Sequence, residues 1–471
     1  MKLASIGAGS LYTPDFALML LEMRDKLQVD DWYLMDIDRN RLEVVAGYTK
    51  MVLDEGGAKT HIHLTTDLSE AVRDANYVIA TIRVGKAHGR VLDESIPRKY
   101  GFIGQETTPP GGLAMGLRNI PAIVEIAQKT VELARPGAWL INLSNPAGML
   151  TEAIYRYTKC KAVGLCNWPR SFWTHIAEAY EVQRDDVFLQ LVGLNHLNWA
   201  RAYIKGEYVG KDATRKFAEN MTKKYGAEIV AKKFTFPQDI VDIVEWPLIV
   251  QYNHYYYMMD EALADQKEPT DTRSQMMLEN LKSSLPKEVL NKIDLTNVKL
   301  RAEFVELIEK ITIELYRQKS RDGIKLIAGS RGGEGYGAAA LEVILAMENN
   351  SNQVQAVDFP NLGSIPGLPD DIVVEHSCLV NAAGIFPISM PALTPHMHAL
   401  VNSVKQYEIL ACEAAMEGNY RKALEALIAN PLINDLPRAS LVLNDLLTSH
   451  KANLPNFSEA IERIERGERP Y

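Results

Sequence analysis

Short apolar runs alternate with helical stretches through the first third of the chain, which predicts a parallel sheet covered by helices on both faces. Leu3 to Ile6 reads as the first strand and Phe16 to Met23 as the first helix. Trp32 to Met35 reads as a second strand ending at Asp36, with further strands at Tyr77 to Thr81 and Trp139 to Leu143. Each run closes in a polar or glycine-rich loop. Ligands of such sheets gather at the carboxyl ends of the strands, so Asp36, the loop from Arg83 to Arg90 and Ser144-Asn145-Pro146 are expected beside one crevice.

From about residue 200 the pattern lengthens. A lysine-rich stretch at 211–233 and a run at 298–320 predict helices. Strand-like runs such as Asp371 to Glu375 fill 353–393, and helical patterns return at 396–428 and 440–466. The expected fold class is α/β: a Rossmann-like doubly wound parallel sheet over residues 1–200, then a second, mixed α+β domain over residues 201–471. No repeat or low-complexity linker marks the boundary, which falls near 195–205.

Composition narrows the function classes. The 471 residues are 47% hydrophobic and 24% charged, the ordinary range for a folded globular protein. With 51 basic and 60 acidic residues the formal charge is -9, which argues against nucleic acid or an anionic membrane as the main partner. No apolar run reaches the ~18 residues of a membrane span, and the opening residues lack a leader pattern. The four cysteines, Cys160, Cys166, Cys378 and Cys412, are too sparse for a disulfide framework and read as reduced thiols of a cytoplasmic protein.

Three groups of residues carry candidate chemistry. Gly7-Ala8-Gly9-Ser10-Leu11 follows a strand and precedes a helix, and an acid, Asp36, ends the next strand where a ribose hydroxyl is expected. Tyr12 stands where the usual third glycine would be; the competing reading is a tight turn with no nucleotide. An acid at Asp36 favours NAD over NADP. Cys166 and His196 each follow an apolar run ending in Gly-Leu, and as thiolate and imidazole they suit a borderline divalent ion, the remaining ligands coming from substrate and water. The alternative is a small buried thiol and a hydrogen-bonded core imidazole. Tyr252, Tyr255, Tyr256 and Tyr257 form an aromatic cluster that is either core or the source of a base whose pKa a nearby cation lowers. Arg90, Arg273 and Arg331 are candidate anion clamps. Glu106, in the Gly104 to Gly112 loop, is either an active-site carboxylate or a loop acceptor.

With these residues in place the chain resembles the NAD- and divalent-metal-dependent glycosidases of glycoside hydrolase family 4, and within it the branch acting on 6-phospho-β-glucosides. The likeness runs nearly end to end. It rests on Gly7 to Pro14, Asp93-Glu94 through Gly104-Gln105-Glu106-Thr107, Asn145-Pro146-Ala147-Gly148, Gly164-Leu165-Cys166-Asn167, Gly193-Leu194-Asn195-His196-Leu197, the tyrosine cluster and Arg331-Gly332-Gly333.

The resemblance implies that Cys166 and His196 hold Mn2+ or a related ion, that Tyr252 is the base and that Glu106 tunes it. Arg90, Asn145 and Arg273 would contact substrate. Asn167 would do so at a position where α-acting members often carry an acid. The implied chemistry departs from the two-carboxylate scheme of most glycosidases. NAD takes a hydride from C3, the metal polarises the product, Tyr252 removes the C2 hydrogen, the C1 to oxygen bond breaks by elimination, water adds and the hydride returns. Residues 1–200 would then bind NAD, and 201–471 would bind substrate and build a homodimer or homotetramer. Two positions depart from the family pattern: Leu11, where β-acting members often carry Ser, and Trp168, where a smaller aliphatic is usual. Competing expectations are the same chemistry on an unphosphorylated glycoside or uronide, an NAD-dependent hydroxy-acid dehydrogenase, and a nucleotide-binding regulator without catalysis.

Overall fold

The apolar strand Leu3 to Ile6 is buried on both sides because it lies in the middle of a sheet sandwiched between helices. The computed structural model describes residues 1–268, 272–285, 287–292, 298, 300–324, 326 and 335–471; the side chains of Arg273, Asn280 and Ser284 lie outside that description. Strands β1 (Lys2–Ile6), β2 (Asp31–Met35), β3 (His61–Thr65), β4 (Tyr77–Ala80), β5 (Trp139–Asn142) and β6 (Ala162–Gly164) are parallel and run in the spatial order β6-β5-β4-β1-β2-β3. The order reverses between β1 and β4, where a doubly wound sheet opens its ligand crevice. The first strands keep their expected places, while the first helix starts earlier, at Thr13, with Pro14 in its first turn.

Strands β7 (Val187–Leu194) and β8 (Leu197–Ile204) form a hairpin that, with β9 (Glu207–Tyr208) and β10 (Leu248–Ile249), makes a second, antiparallel sheet. Residue 200 lies inside β8. Strands β11 (Gln353–Pro360), β12 (Val373–Asn381) and β13 (Gly384–Pro387) rejoin the first sheet as an antiparallel extension, β11 pairing with β6 through Asp358 and Gly164. The C-terminal half therefore supplies one flank of the nine-stranded sheet as well as helices of its own.

Alternate residues of β4 point into two cores. Val78 and Ala80 join the core built by the helices Gly111–Leu133, Ala147–Tyr157 and Pro395–Glu417, whereas Tyr77 and Ile79 join the one under Thr13–Glu22, Arg39–Glu55 and Tyr336–Glu348. Both helical layers leave the carboxyl ends of β1, β2, β4 and β5 open to a cavity of about 1040 Å³. Among the described residues no helix is long and apolar enough to cross a membrane.

Candidate active site

The first turn shapes one end of the cavity. Gly7 has φ +84°, and a side chain there would place its Cβ 2.7 Å from the Thr81 carbonyl oxygen; a Cβ on Gly9 would stand 2.7 Å from Asp36 Oδ2. Only glycine lets the backbone pass this close. The Gly9 and Asp38 N–H groups donate to the two oxygens of Asp36 at 2.9 Å each, which fixes the acid at the end of β2. Arg41 Nε donates to the Gly9 carbonyl at 2.6 Å, and its Nη1 pairs with Glu309 at 2.5 Å. Ser10 and Leu11 complete this wall, although the Leu11 side chain is nearly fully buried and its carbonyl accepts the Tyr316 hydroxyl. Ile37, 85% exposed, offers an apolar face at the rim. The close-fitting backbone, the fixed acid and the apolar rim suit a dinucleotide.

At the other end of the cavity Cys166 and His196 come together. Cys166 caps the helix Asn167–Ala179 beyond β6, and His196 occupies the two-residue turn between β7 and β8. Cys166 Sγ lies 3.6 Å from His196 Nε2. A thiolate about 2.3 Å and an imidazole nitrogen about 2.1 Å from one ion at a tetrahedral angle stand about 3.6 Å apart, so the pair fits a shared divalent cation. His196 Nδ1 is hydrogen-bonded to Thr107 Oγ1 at 2.8 Å, an outer contact that turns Nε2 toward the thiol. Burial, with Glu375 and Asp358 adding to it, pushes the Cys166 thiol up; a bound cation reverses such a shift by holding the thiolate. Among the described residues no third His, Cys, Asp or Glu joins the pair, which matches a site completed by substrate and water.

Tyr252 stands beside this pair, its ring stacked on the His196 imidazole at 3.8 Å between centroids. It follows β10 in the short helix Gln251–Asn253 and reaches the cavity wall, whereas Tyr255 packs into an apolar cluster with Ile103, Ala262 and Leu432. The neighbouring Tyr336, absent from the sequence expectations, is a partly buried residue on the cavity wall, and burial raises its phenol well above the ordinary range.

Glu106 lies under a group of cations. Its Oε2 pairs with Arg83 at 2.5 Å and its Oε1 with Arg90 at 3.0 Å. Burial opposes ionisation of this carboxyl, but Arg83, Arg90 and Arg301 outweigh it and hold the group well below the usual carboxylate range. Arg90, on the helix Lys86–Lys99, spends Nε on Glu94 and Nη1 on Glu106 and is only 3% exposed; its Nη2 is a buried donor with no partner among the described residues. Such an atom on a cavity wall fits a ligand oxygen. Asn145 and Asn167 line the same space. The Arg273 side chain and all of Arg331 lie outside the described residues.

Sequence reasoning placed Arg83 only at the start of the crevice loop and Thr107 only beside Glu106, and it missed Arg301 and Tyr336 as members of this wall. Thr107 directly follows Glu106, and that neighbour was the one local signal available. Trp168 turns away from the cavity to stack with Phe172 and Phe234.

Residues 2–182 match the family described as family 4 glycosyl hydrolase, and residues 191–433 match the C-terminal domain of the same family. A probable 6-phospho-beta-glucosidase of Bacillus subtilis (strain 168) is 35% identical over 98% of this chain and 99% of its own length. The 6-phospho-beta-glucosidase of Escherichia coli (strain K12) is 31% identical over 99% of each chain. The structure of the 6-phospho-beta glucosidase from Thermotoga maritima with manganese, NAD+ and glucose-6-phosphate superposes with a TM-score of 0.79 at 30% identity, covering 96% of this chain and 99% of that one.

Proposed function

The chain belongs to the family 4 glycosyl hydrolases, and from that premise we propose that it is an NAD- and divalent-metal-dependent glycosidase that cleaves 6-phospho-β-glucosides. The observation that carries this reading is the meeting of Cys166, His196 and Tyr252 in the same cavity as the glycine-rich turn and Asp36. The β-acting, phosphate-bearing substrate class is supported by relatives that match end to end.

Gly7, Gly9, Ser10, Leu11 and Asp36 hold NAD, Asp36 taking ribose hydroxyls with the lone pairs that Gly9 and Asp38 leave over. Cys166 and His196 hold Mn2+ or another divalent ion. When bound, NAD supplies a hydride acceptor for C3 of the sugar and the ion an electrophile for its C2 and C3 oxygens, which together make the C2 hydrogen acidic. Tyr252 takes that proton, and departure of the C1 oxygen follows by elimination. Glu106, ionised between its arginines, holds Arg83 and Arg90 in place. Arg90 presents Nη2 to substrate, with Asn145 and Asn167 as further contacts.

Residues 1–200 carry the cofactor and most of the named substrate contacts, while residues 201–471 contribute Tyr252 to the site and, in this reading, the assembly surface. A cytoplasmic homodimer or homotetramer is our reading of the setting, supported by the acidic composition and the family likeness.

The test compares release of nitrophenol from nitrophenyl β-glucoside with and without a 6-phosphate, in the presence of NAD+, Mn2+ and a thiol reductant. The phosphorylated substrate is expected to be turned over far faster; equal or faster turnover of the plain sugar overturns the substrate assignment. Steady accumulation of NADH would instead mark a dehydrogenase.

A further inference from the structure

His196 pays for its position with backbone strain. It has φ +65°, the left-handed region that favours glycine, in a turn only two residues long between Leu194 and Leu197. A residue bearing a β-carbon is strained in that region, so something outside the turn must hold it there. The hairpin offers two hooks, one on each side of the imidazole. Asn195 Nδ2 donates to Glu375 Oε1 at 3.0 Å, and Asn198 Nδ2 donates to Glu375 Oε2. Glu375 sits on β12 of the large sheet, is 1% exposed and is not part of the cavity wall, so it touches neither substrate nor cofactor. One carboxyl group thus grips both flanks of His196 from the neighbouring sheet.

We propose that Glu375, with Asn195 and Asn198, is the positioning brace that sets the metal affinity of the Cys166/His196 pair. The proposal rests on the reading of that pair as metal ligands. A carboxyl group is suited to the task because both of its oxygens carry acceptor lone pairs, in the acid form as in the ionised one, so it takes an amide N–H from each side at once. Glutamine at 375 would turn an NH2 group toward one of the two amides and lose that hook. Loss of an outer-sphere partner of this kind typically weakens metal binding about 10–100-fold.

The test measures Mn2+ binding to the full chain by electron paramagnetic resonance of free Mn2+, with NAD+ binding and thermal melting recorded on the same samples, for Glu375→Gln, Asn195→Ala and His196→Ala. Asn195 is only partly buried, so Asn195→Ala keeps the test alive should Glu375→Gln fail to fold. The expected result is a loss of Mn2+ affinity of about 10-fold or more in both brace variants, with NAD+ affinity unchanged and with kcat recovering at saturating Mn2+. Wild-type Mn2+ affinity in the brace variants, with lower melting temperatures alone, would reduce Glu375 to a structural role and overturn the proposal. Wild-type Mn2+ affinity in His196→Ala would overturn the ligand reading itself, and the brace with it.

Discussion

The imidazole of His196 and the phenol ring of Tyr252 lie face to face, 14° from parallel and 3.8 Å between centroids. A stack this close ties the tyrosine to the turn that carries His196. Any cation held by Nε2 therefore stands near the phenol, and a phenolate is stabilised by such a charge.

Tyr252→Phe keeps the ring and the stack but removes the hydroxyl. Its kcat is expected to fall by about 10²–10⁴-fold, the usual worth of a positioned base, while Mn2+ and NAD+ affinities hold. Steady-state kinetics with a phosphorylated nitrophenyl glucoside checks this, and wild-type rates would move the base elsewhere.

Arg90→Lys removes the unpartnered Nη2 while retaining a charge beside Glu106. A lysine cannot reach Glu94, Glu106 and a ligand oxygen with one fixed fork. The expected loss in kcat/KM for phosphorylated substrate is about 10–100-fold, the worth of one charge-assisted hydrogen bond of roughly 1.5–3 kcal/mol. Little change on an unphosphorylated glucoside would identify the phosphate as its target; an equal loss on both would place Arg90 on the sugar ring.

Gly9→Ala places a methyl 2.7 Å from Asp36 Oδ2, a distance that β-carbons do not tolerate. The acid has to move off the Gly9 N–H. We expect NAD+ affinity, read by isothermal calorimetry, to drop by about 10-fold, in line with the loss of one hydrogen bond of roughly 1 kcal/mol and a displaced ribose contact. Mn2+ binding should be untouched.

Stability should fall as pH rises from the carboxylate range toward 8. Burial, the leading cause, raises the Glu375 carboxyl to about 8 and the Asp358 carboxyl well above its ordinary value. In the unfolded chain both groups ionise near the ordinary pKa of 4–4.5. Between that pKa and about 8 the folded state binds more protons, so the sign of the linkage makes stability decline with rising pH. Thermal melts of metal-free protein from pH 5 to 9 should show this decline. Asp358 has two buried oxygens with no hydrogen-bond partner among the described residues, so Asp358→Asn should flatten the slope; an unchanged slope would exclude it as a source.

What could be read from the sequence follows from how far each signal travels along the chain. Strands β1, β2, β4 and β5 announce themselves because each is a largely apolar run closed by a glycine or a polar residue, as Leu3 to Ile6 is by Gly7, whereas β3, in which histidines alternate with apolar residues, was not read. The place of β11 is different. Its partner in the sheet is fixed by Asp358 lying opposite Gly164, a pairing made through tertiary packing and invisible to any local pattern. Residues of the site divide in the same way. Cys166 and His196 were legible from their matching Gly-Leu approaches, and the structure brings them to 3.6 Å. Arg301 heads an ordinary amphipathic helix, Arg301–Arg317, and only its position near Glu106 gives it meaning. Thr107 matters through a contact with a residue 89 positions away.

The central claim is that bond cleavage passes through removal of the C2 hydrogen by Tyr252, with NAD and a metal held in the same cavity. Hydrolysis of a 6-phospho-β-glucoside in D2O, followed by NMR of the released sugar phosphate, tests it most directly. The account predicts deuterium at C2 of the product and no turnover when NAD+ or Mn2+ is withheld. A product carrying only hydrogen at C2, or full activity without NAD+, would contradict it.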